Sequence, residues 1–259
     1  MKRLLIILAW IGILVYTLLV LAMVNDSARE IPCQAISVRI QDSLENRFVS
    51  GHDVYSMVLS AYPKILGSSL GELHTGEIEK LVNKDPFIKT AEAFKSTDGT
   101  LSIYTSQRKP VVRIIDDKGG GFYIDSEGFT LPLSSFYTAR VTVANGIGIT
   151  DVPMGLDLDD YKTTRRYKTL WEVYKLASFI HSSDFWNVQI EQVYVNSQGE
   201  FELVPRVGAH IIELGSYLNY EEKFNKLYAL YEQGLKREGW NTYNKINLKY
   251  KDQVVCSKR

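Results

Sequence analysis

The sequence predicts an α+β protein: an N-terminal transmembrane helix, a small domain of order β-α-α-β-β, and a larger β-rich domain with packed helices. Three observations predict it. Residues 4–24 form a 21-residue run without a charge, and a hydrocarbon core of ~30 Å needs ~20 residues of helix. Between residues 35 and 106, two stretches with apolar residues at helical spacing precede two strand-like runs joined by Asp98-Gly99. Beyond residue 110, short strand-like runs bounded by turn residues alternate with two helical stretches, a layered α+β pattern. The expected boundaries are 1–3 for a cytoplasmic tail, 4–24 for the membrane helix, 33–110 for the first exterior domain and 111–259 for the second.

The apolar run is too long for a secretory signal peptide, whose apolar region spans ~7–15 residues, and Ala22 to Ala28 make a poor cleavage site. It is therefore read as a retained anchor. Lys2 and Arg3 precede it, while Asn25, Asp26 and Glu30 follow with Arg29 alone opposing. The positive-inside rule then puts the N-terminus in the cytoplasm and the bulk of the chain outside. Overall, 30 Lys+Arg balance 30 Asp+Glu, which argues against a nucleic-acid binder and against an acidic disordered tail. Two cysteines, Cys33 and Cys256, stand at opposite ends of the exterior part. An oxidising compartment permits a bridge between them, but a two-domain chain can hold its ends further apart than the ~7 Å a disulfide tolerates.

Along the exterior chain, Ala35 to Ile40 alternate as a half-buried strand does. Ser50 and Asp53 have the spacing of a capping box, and Val54, Met57, Val58 and Ala61 then make one apolar helix face, which Pro63 ends. A second helix starts near Thr75, carries Ile78, Leu81 and Val82 on one side, and stops before Pro86. Residues 87–95 and 100–106 form the hairpin that closes the domain. After Pro110, strands are expected at 111–116, 122–125, 129–133 and 139–146, with a Gly119-Gly-Gly121 turn and an irregular acidic stretch at 150–160. Leu170, Val173, Tyr174, Ala177 and Ile180 mark a helix. Three strands follow at 188–195, 201–206 and 210–215, then a long helix over 220–237 with Phe224, Leu227, Tyr228, Tyr231 and Leu235 on one face. A last strand, 245–250, precedes a tail, 253–259. The whole second region reads as an antiparallel-looking sheet with helices packed on it.

Reactive groups do not assemble in this pattern. His181-Ser-Ser-Asp184 is the one compact Ser/His/Asp cluster, but it ends a helix, where histidine suits the dipole and Ser and Asp are ordinary turn residues. Gly119-Gly-Gly121 lacks the Lys-Ser/Thr and the following helix of a phosphate cradle. Glu221-Glu222 and Asp159-Asp160 stand at helix starts, where carboxylates offset the helix dipole. Four scattered histidines and no Cys-x-x-Cys give no metal spacing. No catalytic residue, cofactor, metal or small-molecule substrate is expected.

Several strings in order resemble the FtsQ/DivIB cell-division family, particularly the form found in Bacteroidetes. Residues 106–114, SQRKPVVRI, look like the Arg-x-Pro junction that closes the family's POTRA module, and 123–129, YIDSEGF, look like its aspartate–glycine hairpin. Glu213-Leu-Gly215 ahead of residues 220–227, and the terminal 246–255, look like the late helix and final strand. Two features depart from the family: the cytoplasmic tail has about three residues, and Asn247 stands where many relatives carry Asp. The resemblance implies a POTRA-like first domain and a non-enzymatic divisome scaffold. It implies an inner-membrane protein enriched at the division septum, which recruits FtsB/FtsL-type partners and helps control septal peptidoglycan synthesis. Alternatives are a membrane-anchored periplasmic cell-wall enzyme and a POTRA-type protein-assembly factor.

The final strand gives the expected partner site: Lys245, Ile246, Asn247, Leu248, Lys249, Tyr250, Lys251, Val254 and Val255. An open strand edge there would pair with a partner through main-chain hydrogen bonds. Alternating Lys245, Asn247, Lys249 and Lys251 would line one face, discouraging self-pairing and favouring an acidic partner, with Ile246, Leu248 and Tyr250 on the other. A second partner would meet the strand at 87–95.

Overall fold

The computed structural model describes residues 10–20, 31–42, 46–116, 118–148 and 151–259. Residues 10–20 form a helix, α1, whose large apolar side chains are exposed. The remainder of the expected membrane segment, 4–9 and 21–24, and the tail at 1–3 lie outside the described residues. Among the described residues, no helix is long and apolar enough to cross a membrane. The chain divides into two compact units, Met1–Gln107 and Arg108–Arg259.

In the first unit, strand β1 (Ala35–Ile40) is followed by helices α2 (Gly51–Ala61) and α3 (Thr75–Val82) and strands β2 (Ile88–Lys95) and β3 (Thr100–Gln107). The capping box forms as expected: the Asp53 amide donates to Ser50 Oγ, and the Ser50 amide donates to the Asp53 carboxylate at 2.8 Å. The Ser50 hydroxyl, which donates to the Asp53 carboxylate at 2.7 Å, and then the Ser50 amide hold that carboxyl below its ordinary pKa. Val54, Val58, Ile78 and Val82 of the two helices are buried, as are Leu101 and Ile103 of β3. The sheet order is β1-β3-β2, with β1 parallel and β2 antiparallel to β3.

The second unit is one nine-stranded sheet of order β12-β11-β10-β9-β8-β7-β4-β5-β6. Its strands are β4 (Pro110–Ile115), β5 (Gly121–Asp125), β6 (Thr130–Leu131), β7 (Thr142–Asn145), β8 (Ile190–Val195), β9 (Phe201–Pro205), β10 (Ile211–Gly215), β11 (Tyr243–Asn247) and β12 (Val255–Lys258). Helices α4 (Lys168–Ser182), α5 (Asp184–Gln189) and α6 (Tyr220–Ala229) pack with the sheet into one core, where Val173, Ile180, Trp186, Phe224 and Tyr231 meet Ala144, Val193, Leu203, Ile212 and Ile246.

Several expectations need correcting. The sheet is mixed rather than antiparallel, because β4·β7, β7·β8 and β10·β11 run parallel. Parallel neighbours need a crossover, and α4–α5 and α6 supply it between β7 and β8 and between β10 and β11. Residues 188–189 end α5, where Ser183 caps the helix through the Trp186 amide, so β8 begins at Ile190. The predicted 220–237 helix is interrupted: α6 passes into a π-helical turn, Leu230–Leu235, before Lys236–Glu238. Residues 129–133 contribute only the two-residue β6. The expected tail at 253–259 contains a strand, β12.

Candidate partner-binding edge

The expected partner strand is not itself an edge. β11 lies between β10 on one side and β12 on the other, so Lys245, Ile246 and Asn247 spend their main-chain bonds inside the sheet. Ile246 and Leu248 are fully buried in the core. The Leu248 amide, donating to the Glu213 carbonyl at 2.9 Å, prolongs the β10·β11 ladder. Among the described residues, the outer edge at this end of the sheet belongs to β12. Val255 and Ser257 stand opposite Asn247 and Lys245. By the alternation of an antiparallel ladder, Cys256 and Lys258 then direct their amide and carbonyl groups away from β11. Cys256 is half-buried on the core face, and both cysteines are free thiols.

The lysines are already engaged. Lys245 Nζ lies 2.7 Å from Glu213 Oε1, and Asn247 Nδ2 donates to Glu213 Oε2 at 2.8 Å. Lys249 Nζ pairs with Glu200. Gly215 makes room for that reach: its φ is +76°, and a Cβ there would stand 2.8 Å from Lys249 Cγ. Both ammonium pKa values are held up, chiefly by the hydrogen bonds from Lys245 to Glu213 and from Lys249 to Glu200. The expected free row of lysines thus narrows to Lys251, which is exposed. Tyr250 is about half exposed, Val254 is half-buried against the core, and Val255 is 42% exposed on the edge strand.

The loop that delivers β12 is fastened from α6. Lys226 Nζ donates to the Tyr250 carbonyl at 2.6 Å and the Leu248 carbonyl at 3.5 Å. Its neighbour Lys223 is buried and donates to the Ser216 carbonyl at 2.7 Å, and burial pushes its pKa down. Reading the sequence missed Glu200, Glu213 and Lys226 as partners of this segment, since a pair 22 or more residues apart has no local spacing. The other expected partner strand, β2, is an edge of its sheet. The Glu79 carboxylate of α3 occupies part of it by accepting the Ala93 amide at 2.9 Å.

A β-α-α-β-β domain and a mixed sheet whose last strand has one open edge define a two-domain α+β protein that presents main-chain edges. Among the described residues, no group of three or more His, Cys, Asp or Glu could hold a metal ion. Comparison with known proteins narrows this class. A family model described as a POTRA-like domain matches residues 31–106, and one described as FtsQ/DivIB, C-terminal related, matches residues 109–257. The chain belongs to the FtsQ/DivIB family. It is similar to a protein of Rhodothermus marinus described as cell division protein FtsQ, with 25% identity over 194 residues, 73% of this chain and 67% of that protein.

Proposed function

We propose that this protein is a non-enzymatic scaffold of bacterial cell division. In this reading it is anchored in the inner membrane by residues 4–24, with its N-terminus in the cytoplasm and its two units in the periplasm, enriched at the septum. It recruits FtsB/FtsL-type partners and through them helps control septal peptidoglycan synthesis. Family membership and the relative's cell-division name support the cellular role. The observation that carries the binding mode is the open outer edge of β12 beside the anchored segment 248–250. A partner strand laid against Cys256 and Lys258 gains main-chain hydrogen bonds, while Tyr250, Lys251, Val254 and Val255 supply side-chain selectivity.

Proline on this edge tests the mode. Cys256→Pro and Lys258→Pro each remove an outward amide and leave the bonds of Val255 and Ser257 to β11 in place. Each lost main-chain bond is worth ~0.5–1.5 kcal/mol, and the ring also obstructs the edge. Binding of an FtsB/FtsL-type partner to the full chain should weaken about fivefold or more in the double variant, which combines the loss of both bonds. Unchanged affinity in a variant that melts like the parent would refute the edge mode.

A further inference from the structure

The sheet of the second unit has two faces, and the helices cover one. Val112, Ala144, Val193, Leu203, Ile212 and Ile246 point into the helix-covered core, so their chain neighbours point to the opposite face. Strand register sets those neighbours in a row. Arg113 stands beside Val143, Val143 beside Gln192, Gln192 beside Val204, and Ile211 beside Lys245. The register that pairs Ile212 with Leu203 brings Val204 next to Ile211. Val143, Gln192, Val204 and Ile211 are all half-exposed. The helices of the second unit pack on the other face.

Arg113 borders this strip and is the anomalous charge on the face. Its Nε is buried without an acceptor, and among the described residues no carboxylate forms an ion pair with it. Elsewhere on the face Glu213 pairs with Lys245 and accepts from Asn247, and Glu202 accepts from the neutral Asn196 Nδ2 at 3.1 Å. A partly dehydrated guanidinium with no counter-charge costs free energy in the isolated protein. Arginine is also among the residues that dominate interface energetics.

We propose that this face is a second docking surface, distinct from the β12 edge, which takes an amphipathic helix of a partner carrying an Asp or Glu that pairs with Arg113. Four strands at ~4.8 Å spacing make the row from Val143 to Ile211 about 14 Å long, which a helix lying across the strands follows with about three turns of ~5.4 Å pitch. A helix is an element that covers an open sheet face. Its apolar stripe would cover Val143, Val204 and Ile211, with the carboxylate about one turn further along, toward β4. Fork geometry lets a guanidinium hold a carboxylate by two bonds.

The test places a photo-crosslinking amino acid at Val204 of the full-length chain in native membranes, with a second copy of the experiment probing Ser257 on the β12 edge. The cross-linked peptide is identified by mass spectrometry. The expected result is a partner segment of helical periodicity with a carboxylate; Arg113→Glu should reduce the Val204 cross-link about tenfold or more, and changing that carboxylate to Arg should restore it. Arg113→Gln should bind weakly while melting no lower than the parent, because among the described residues no carboxylate pairs with the guanidinium. Three results would overturn the proposal: no product at Val204, a product indifferent to Arg113→Glu, or a product made only of two copies of this chain. Each leaves the edge reading standing or falling on the Ser257 product alone.

Discussion

His210 immediately precedes β10 with 2% of its surface exposed, its Nε2 3.3 Å from the hydroxyl of Tyr231 on the π-helical turn. Gly208, at φ +91°, admits the ring, since a Cβ there would lie 2.6 Å from its Cε1. Burial pushes the imidazole pKa below its ordinary 6.5, the nearby Trp240 backbone partly opposes this, and the Arg259 charge adds to the lowering. A folded pKa below the unfolded one means the unfolded chain binds more protons in between. The contribution is therefore fully present above pH 6.5 and is lost as pH falls from there through the folded value. We expect the melting temperature of the parent to fall from pH 7 to pH 5 more steeply than that of His210→Phe. Parallel profiles in a calorimetric series would refute it. At Asp125, by contrast, the charge is matched. Its carboxylate takes Arg108 at 2.7 Å and the Glu127 and Phe129 amides at 2.9 and 2.8 Å, with the guanidinium 4.4 Å from the Phe129 ring centre. Two of the strings that carried the family resemblance thus meet in one structural clasp at the turn between β5 and β6.

Helix α6 controls the terminal strands through one side chain. Lys226 spans from its last turn to the carbonyls of Leu248 and Tyr250, where the chain leaves the sheet before turning back as β12. Lys226→Met keeps the helix former and removes both bonds. With one charge-assisted bond at an exposed site worth roughly 1–1.5 kcal/mol, amide exchange across 249–258 should accelerate about fivefold to tenfold while the α4–α6 core exchanges as before. Unaltered exchange in that segment would refute the clamp. Elements like these were unevenly legible. The capping box at Ser50, the Asp98-Gly99 hairpin and the apolar face of α4 depend on residues within a few positions of one another, and they formed where expected. The parallel neighbours and the β12 pairing depend on where a helix or loop returns the chain. A strand-like run looks the same whichever neighbour it finds, although a helix between two runs is itself a sign of a crossover. In 255–258, with Cys256 alone turned toward the core, no alternation marks a strand.

At the scale of the whole molecule, 30 basic residues balance 30 acidic ones at a pI near 6.9, so there is little net field to steer a charged partner from a distance. The local arrangement reinforces this, because Lys245 and Lys249, which a charge-led account would assign to an acidic partner, are bound to Glu213 and Glu200 of the same unit. Recognition would therefore rest on main-chain bonds along β12 and on contacts that form only after docking, including any carboxylate that reaches the partly buried Arg113. Exposed charges are screened over ~10 Å at 0.1 M salt, and partly buried pairs are screened much less. Association of an FtsB/FtsL-type partner with the full chain, followed by surface-based kinetics, should thus change its on-rate by less than about threefold between 50 and 300 mM NaCl, whereas steered pairs lose far more. A tenfold fall in on-rate would show that Lys251 and the edge lysines act as a free cationic patch, and would shift the recognition chemistry from strand addition to charge.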